Sequence, residues 1–224
     1  MEIGKAFSYV FDDEKWINKV LIGALFALLG SLVVGWFFVL GYVLEVMQNV
    51  SEGKERPLPE WDNLGDKLSK GFMFFVVILI YMLPILVISI CASVGGGMAG
   101  SGNNAAATIG GIISAIVSCL GFIYYIVLTV AIPAIMIRYA ATRSVSACLQ
   151  FGQIISFITG NMSNYIIVVL LSVVAYIIAG IGTIACFIGV FATSFYALMI
   201  IAHLLGQLTR ITGTAAGSGE VTPA

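Results

Sequence analysis

The sequence has few charged residues: Asp, Glu, Lys and Arg make up 9% of its 224 residues, while 60% of the residues are hydrophobic. A water-soluble domain usually carries about 25% charged residues, because it needs them to cover its surface. Acidic and basic residues also nearly balance, at a formal net charge of −1, so the chain offers no basic field to nucleic acid. This composition excludes a soluble globular protein and a nucleic-acid-binding protein.

Residues that commonly carry chemistry are also scarce. The sequence has one histidine and contains no HExxH or GxSxG motif. Its cysteines stand alone in their segments, without the CxxC or Cys/His spacing of a metal or redox site. We therefore expect no enzymatic activity, no metal and no cofactor. We also expect small buried thiols at Cys91, Cys119, Cys148 and Cys186.

Long apolar runs are abundant, and they lie at residues 20–50, 71–92, 108–137 and 163–208. A bilayer core about 30 Å thick takes about 20 apolar residues per helix, so these runs predict an all-α, polytopic integral membrane protein. Lysines and arginines lie outside or at the ends of the runs, whereas Ser93–Ala107 is rich in Gly, Ser and Asn and carries no charge. The positive-inside rule places the basic segments in the cytoplasm and this uncharged loop outside.

The same rule sets the number of crossings. If residues 1–19 and 51–70 are both cytoplasmic, residues 20–50 must cross the membrane an even number of times. Glycines could turn this run at Gly30-Ser31, and the run 163–208 at Gly180–Gly182. Together with the pair 71–92 and 108–137, this predicts six transmembrane helices in three hairpins, with both termini cytoplasmic. A single tilted helix over residues 20–50 is the alternative, and it would place the N-terminus outside.

Each hairpin is preceded by a segment with one-sided helical polarity, at residues 3–11, 61–70 and 144–158. Such helices typically lie in the membrane interface, where Trp16 and Trp61 could act as anchors at the level of the headgroups. The chain can therefore be interpreted as an amphipathic helix plus a hairpin, repeated three times. We expect one transmembrane domain over residues 1–210 and a disordered tail over 211–224, which is rich in Gly, Ser, Thr and Ala.

Several local patterns resemble those of a known family, and the most specific of them is the block Leu-Pro-Glu-Trp-Asp at residues 58–62. The others are Ile3-Gly4-Lys5-Ala6-Phe7-Ser8-Tyr9, Trp16 with the stretch Lys19–Gly23, Gly41-Tyr42, Tyr81-Met82-Leu83-Pro84, and Pro133 followed by Arg138-Tyr139-Ala140. With these the chain resembles domain-of-unknown-function family 4013, membrane proteins of bacteria and archaea, over most of its length up to about Gly213. The resemblance implies the membrane fold and a cell-membrane location, and it brings no activity, cofactor or site residue.

A few polar residues inside or beside the apolar runs are candidates for function. Glu45 is the only acidic residue within an apolar run, and an ionisable group in the membrane is a functional candidate by default. His203 could shuttle protons, although a hydrogen bond to a neighbouring helix would explain it equally well. Arg138 could anchor its helix at the surface or bind an anionic lipid. The candidate polar residues are Glu45, Gln48, Arg138, His203 and Gln207.

The segment at residues 51–70 mixes acids and bases, which argues against a polybasic lipid tether. It could form a docking surface for a membrane or cytoplasmic protein partner, or it could simply be a solvated loop. The candidate anchors and docking residues are Trp16, Trp61, Glu60 and Asp62.

Three classes of function fit this sequence. The first is a non-catalytic protein that organises the membrane or serves as an accessory or scaffold subunit, and we favour it because buried polar groups are few. The second is a permease or channel for small solutes or lipids, which would need a polar path across the membrane. The third is an intramembrane enzyme. All three would be multi-pass proteins in the cell membrane of a bacterium or archaeon, in contact with the lipid bilayer.

Overall fold

The structure is a computed structural model that describes residues 1–213, with the backbone alone for residues 185–188. All regular structure within the described residues is helical. Six long helices form three consecutive pairs: α2 (Trp16–Leu29) with α3 (Val34–Ser51), α4 (Leu64–Ala99) with α5 (Asn104–Thr142), and α8 (Met162–Ile181) with α9 (Cys186–Ile211). Three shorter helices are α1 (Ile3–Ser8), α6 (Val145–Cys148) and α7 (Phe151–Gly160).

The chain turns close to both predicted glycine positions. A 3₁₀ turn at Gly30–Leu32 separates α2 from α3, and a second one at Gly182–Ala185 separates α8 from α9. Residues 20–50 therefore contribute to two helices, as the charge pattern predicted. The residue with left-handed backbone in the first turn is Val33, at a φ of 66°. A β-branched residue rarely adopts this conformation, and no local pattern predicted it.

Five helical stretches are long and apolar enough to cross a membrane, namely Val34–Ser51, Leu64–Ala99, Asn104–Thr142, Met162–Ile184 and Gly189–Ile211. Helix α2 has 14 residues and is therefore about 21 Å long at 1.5 Å per residue. That is shorter than a hydrocarbon core of about 30 Å. The fold is an all-α, polytopic membrane fold in which the sixth long helix falls short of a full span.

The predicted glycine-rich loop at Ser93–Ala107 is wrong in extent. Helix α4 continues to Ala99 and α5 begins at Asn104, so only residues 100–103 connect them. The glycines allow the two helices to approach closely: a Cβ on Gly110 would lie 2.5 Å from the carbonyl oxygen of Gly95. Small residues often serve close helix packing in membranes, and here that role replaces most of the outer loop that we expected over Ser93–Ala107.

The amphipathic segments differ from one another, so the threefold repeat is not found in the form predicted. Residues 144–158 do form separate short helices, α6 and most of α7, but the first segment has only the six-residue α1. Residues 64–70 are the first turns of α4. Residues 58–63 before them are not helical, and Pro59 disfavours the helical conformation at the residue before it, Leu58.

The described chain forms two compact units. Unit 1 comprises Met1–Phe75 together with the chain from Pro133 onward, and unit 2 comprises Val76–Ile132. The core of unit 1 is built mainly from α3 and α9, whose buried side chains include Tyr42, Met47, Phe195, Met199 and Leu204. Helix α9 continues to Ile211, so the tail predicted from residue 211 does not begin there, and residues 214–224 of that prediction lie outside the described residues.

Candidate functional site

Two lysines of unit 1 are almost completely buried, and they organise its charged end, which we define as residues 1–19, 45–70, 138–150 and 203–211. Lys19 lies in the first turn of α2 and Lys67 in the first turn of α4. Their side chains are only 5% and 1% exposed. A buried ammonium group is tolerated only if it is paired and hydrogen-bonded, so the partners of these two lysines determine the local structure.

Lys67 connects α4 to α3 and to the segment before α4. Its Nζ lies 3.0 Å from Oε2 of Glu45 and donates a hydrogen bond of 3.1 Å to the carbonyl oxygen of Asp62. The Asp62 carboxylate is more distant, at 3.7 Å. Two glycines allow the helices to approach: a Cβ on Gly41 would lie 2.0 Å from the carbonyl oxygen of Lys67, and one on Gly71 would lie 1.7 Å from that of Phe37. This crossing places Lys67 against the turn of α3 that carries Glu45.

Lys19 has a similar set of partners. Its Nζ donates to Oδ2 of Asp13 at 2.7 Å and to the carbonyl oxygen of Leu58 at 3.1 Å, and it lies 3.2 Å from Oε1 of Glu60. Both lysines therefore bind two carboxylates and one backbone carbonyl. In both cases that carbonyl belongs to the non-helical segment between α3 and α4.

Asp13 lies in the turn between α1 and α2, where opposing effects act on its carboxyl group. Burial alone would raise its pKa, but hydrogen bonds from the Lys19 side chain and the Lys15 backbone, and the charges of Lys19 and Arg56, together lower the pKa below its ordinary value. The carboxylate is thus held in its charged form, which matches the charge of Lys19.

The segment that receives these bonds, residues 57–62, is held at almost every position, and we call it the anchored segment. The carbonyl oxygens of Pro57 and Pro59 accept hydrogen bonds of 2.9 Å from Asn49 Nδ2 and the Tyr42 hydroxyl. Trp61 donates from Nε1 to the Lys19 carbonyl oxygen at 2.9 Å. Four side chains from three helices thereby bond to this short segment, namely Lys19, Tyr42, Asn49 and Lys67. Trp61, which belongs to the segment, bonds back to α2.

Trp61 and Trp16, the predicted interfacial anchors, both contact protein. The Trp61 ring stacks on Tyr42 with centroids 4.3 Å apart and on Phe26 at 4.9 Å. Trp16 meets Phe11 edge-on at 5.0 Å. Both side chains are half-buried. Trp61 is thus part of the packing that fixes the anchored segment.

His203 and Gln207 belong to a second feature of the charged end. The Gln207 side chain contacts His203 Nδ1 at 3.1 Å, and it exchanges two hydrogen bonds with the backbone of Glu2. The His203 ring packs on Tyr9, with centroids 4.4 Å apart. Beside them opens a cavity of about 470 Å³, whose walls come from α1, the end of α3 with the loop after it, and the last turns of α9. Its lining includes Glu2, Lys5, Val50, Lys54, Glu55, His203 and Arg210.

Arg138 and Gln48 lie in separate environments. The Arg138 guanidinium donates from Nε to the Ala147 carbonyl oxygen at 2.6 Å, and it also bonds the side chains of Gln150 and Gln153. It therefore holds α6 and α7 to the end of α5. Gln48 bonds Glu52 at 3.0 Å and accepts from Arg143 at 3.3 Å.

The predicted polar residues thus separate into distinct groups, and sequence reasoning missed the residues that connect them. Glu45, Glu60, Asp62 and Trp61 meet around the anchored segment, but their partners Lys19 and Lys67 were not predicted. One signal was present: each lysine is followed four residues later by a glycine, Gly23 or Gly71. That spacing puts the lysine on the close-packing face of its helix.

The cysteine prediction is partly wrong. Cys148 is buried, but Cys91 and Cys119 are exposed on the helices of unit 2. The side chain of Cys186 lies outside the described residues. An exposed thiol of this kind is compatible with lipid because it behaves as a small hydrophobic side chain.

The fold and the site define a polytopic, all-α membrane protein with a tightly connected charged end. The chain belongs to the family described as Protein of unknown function (DUF4013), whose model matches residues 24–188. This match confirms the resemblance seen in the sequence, and it includes the anchored segment and Arg138. Comparisons with curated proteins and with solved structures gave no match.

Proposed function

We propose that this protein is a non-catalytic scaffold or accessory subunit, which holds a membrane or cytoplasmic protein partner at its charged end. The anchored segment is the observation that carries the proposal. Its inner side is bound by side chains from α2, α3 and α4. Glu60 and Asp62 on its outer side, and the preceding Glu55 and Arg56, are exposed.

A surface of this kind is suited to docking for two reasons. Its backbone is already fixed, so binding costs little further conformational entropy. Its alternating charges can select a complementary partner and orient it, even though single exposed ion pairs add little affinity. The pairs at the rim, such as Arg56 with Glu14 at 3.1 Å, are exposed and can exchange for pairs with a partner.

The packing of unit 1 also supports a scaffold. Above the charged end, α3 and α9 bury apolar and aromatic side chains such as Val39, Val43, Phe195 and Ile200. The cavity beside His203 ends eight residues before the end of α9, which is about 12 Å along the helix axis. A path across a core of about 30 Å would need polar lining much deeper than this.

A small-solute or lipid permease is the alternative function. The same cavity favours it, because transporters bind their substrates between helices in sites of this size. The two functions make different demands on the charged end, since a permease must open its cavity toward the midplane and a scaffold need not.

We further propose that the charged end faces the cytoplasm of a bacterial or archaeal cell. The positive-inside rule supports this orientation. The lysines and arginines of residues 1–19, 51–70 and 138–143 all lie outside the hairpin turns, and the turns at residues 30–33, 100–103 and 182–185 carry no charge.

Site-specific photocrosslinking at native expression level tests the scaffold proposal. A photoreactive amino acid at Arg56, beside the anchored segment, is expected to give one discrete crosslinked protein that mass spectrometry identifies. The matched control is the same amino acid at Thr183, exposed in the hairpin turn between α8 and α9, where we expect no discrete product.

A flux assay with the purified protein in liposomes tests the alternative, a permease. The scaffold proposal predicts no flux of ions or small solutes above that of empty liposomes. Solute flux that is lost on substitution of His203, together with no crosslink at Arg56, would replace the scaffold by the permease.

A further inference from the structure

The cavity beside His203 is built from three separate walls, and each wall brings one cation. Lys5 comes from α1, Lys54 from the loop after α3, and Arg210 from the last turn of α9. Two carboxylates, Glu2 and Glu55, also line the cavity. Among these lining side chains, three cations against two carboxylates leave one net positive charge.

The cations differ in how far they are already neutralised. Lys54 lies 3.0 Å from Glu52 and also donates to Asn49 Oδ1 at 2.7 Å. Lys5 has a longer contact of 3.7 Å with Glu2. Within residues 1–213, no carboxylate lies within ion-pair distance of the Arg210 guanidinium. Arg210 is therefore the strongest available donor to a ligand, and its planar fork suits the oxygens of a phosphate group.

The backbone opposite Arg210 is shaped to let the guanidinium lie close. Gly53 has a φ of 75°, and a Cβ built on it would lie 3.4 Å from the Arg210 Cζ. This left-handed conformation favours glycine. Because Gly53 has no side chain, the Arg210 guanidinium can lie over the loop at the edge of the cavity. The lining is partly apolar, with Val50, Pro57 and Ile211, so an occupant can carry an apolar part as well as an anionic one.

From these observations we propose that the cavity binds a phosphate-bearing anion, which Arg210 holds with help from Lys5 and Lys54. Because the cavity opens at the ends of membrane-spanning helices, the phosphate could belong to an anionic lipid headgroup or to a soluble metabolite. The proposal does not rest on the scaffold function, because it concerns the cavity lining and the scaffold concerns the outer side of the anchored segment. The two sites share Glu55, which lines the cavity and is also exposed beside the anchored segment.

Two binding measurements on the full-length protein distinguish the sources. The first titrates inorganic phosphate and pyrophosphate into protein in a neutral detergent, measured by calorimetry. The second counts bound lipids by native mass spectrometry after reconstitution with phosphatidylglycerol or with phosphatidylcholine. Saturable binding of the soluble anions indicates a metabolite site, and retention of phosphatidylglycerol alone indicates a headgroup site. Either result supports the proposal if it depends on Arg210.

Three substitutions test whether anion binding depends on Arg210 and on the charge of the cavity lining. We expect Arg210→Gln to weaken binding at least about tenfold, the size expected when a charge-assisted hydrogen bond is lost. Glu55→Gln should strengthen anion binding about two- to threefold, because it removes a like charge from the lining. The matched control is Arg56→Gln, an exposed arginine in the same loop that does not line the cavity, and it should leave the affinity unchanged.

The opposite results would overturn the proposal. It is wrong if neither probe binds, if Arg210→Gln and Arg56→Gln have equal effects, or if Glu55→Gln weakens binding, which would indicate a cationic ligand. Should Arg210→Gln fail to yield monodisperse protein, Lys5→Gln at an exposed side chain serves as the test, with an expected loss of about threefold.

Discussion

The two most buried of the five membrane-spanning helical stretches are also the two least hydropathic. In α3, and in the Gly189–Ile211 stretch of α9, 56% of the residues in the apolar window are buried, whereas in α5 only 6% are. Yet α5 is clearly more hydropathic than α3 or α9, and so is α4. Lipid is as apolar as a leucine side chain, so apolarity alone does not draw a membrane helix into a protein core.

The two units differ in their charged residues, because Val76–Ile132 of unit 2 contains no Asp, Glu, Lys or Arg. Hydroxyl groups of unit 2 donate to carbonyl oxygens of their own helix, as at Thr108, or of the neighbouring helix, as at Tyr124. In unit 1, buried polar side chains such as Lys67 and Asn49 bond other elements of the chain. A polar group in a membrane helix must find a partner, and in unit 1 those partners connect the fold. Four sets of substitutions, ordered by the loss of stability that we expect, test this difference.

The largest effect is expected from Glu45→Gln, which removes the main charge partner of the buried Lys67. Breaking a buried ion pair should lower the free energy of unfolding by about 3 kcal/mol, measured by denaturant titration in detergent. The matched control is Asp62→Asn, whose carboxylate is 78% exposed and 3.7 Å from the same lysine. It should cost no more than about 0.5 kcal/mol. Equal losses in the two variants would contradict the assignment of Glu45 as the principal partner.

The second prediction compares the same substitution in both units. Gly71→Ala in α4 would place a Cβ 1.7 Å from the Phe37 carbonyl oxygen. The resulting overpacking should cost about 2 kcal/mol. Gly111→Ala in α5 of unit 2 meets nothing within 4 Å, and it should leave stability unchanged or raise it slightly, since alanine favours helix. The test is the melting temperature of both variants, measured in the same detergent. A larger decrease for Gly111→Ala than for Gly71→Ala would contradict the prediction.

The third prediction concerns acid. The pKa of Asp13 is lower in the folded protein than its ordinary value, so the stabilisation from its charged form is fully present above the unfolded pKa of about 4. It is lost as the pH falls through the lower, folded pKa. The melting temperature of the parent should therefore fall more steeply below about pH 4 than that of Asp13→Asn. Parallel curves, with Asp12→Asn as the control, would show that Asp13 does not contribute.

The smallest effect is expected from Trp61→Phe. The variant keeps an aromatic ring against Tyr42 but loses the hydrogen bond from Nε1 to the Lys19 carbonyl oxygen. Its cost should be about 1 kcal/mol. Tyr125→Phe, at a side chain 58% exposed in unit 2, should be neutral. If both variants are neutral, Trp61 does not hold the anchored segment.

The class of fold could be predicted from the sequence alone. Hydropathy and the placement of charges reflect the bilayer, which imposes the same constraint along the whole chain. The sequence predicted the turns near Gly30 and Gly180 for this reason. It failed at Ser93–Ala107 because small residues are found both in loops and in close helix crossings, and only the partner helix decides between them. Gly95 and Gly110 illustrate this ambiguity.

The candidate site was predicted only in part. Glu45 stood out because a single acid in an apolar run is conspicuous. Lys67 did not, because a lysine near a helix end is usually exposed or reaches the surface. Its burial depends on Gly41 and Gly71, which are 26 and 4 residues away in the chain, and on a carbonyl oxygen of the non-helical segment. Contacts of this kind depend on tertiary packing and leave no local pattern in the sequence from which they could be predicted.

We infer that the two buried lysines hold the anchored segment in one conformation, as a fixed surface at the charged end. The most direct test is a distance distribution between spin labels at Arg56 and Ser146, measured by double electron–electron resonance in nanodiscs with the native cysteines replaced. We predict one narrow distance in the parent, and a broad distribution when Glu45→Gln and Asp13→Asn are combined. A broad distribution in the parent, or a narrow one that the double substitution leaves unchanged, would contradict the claim.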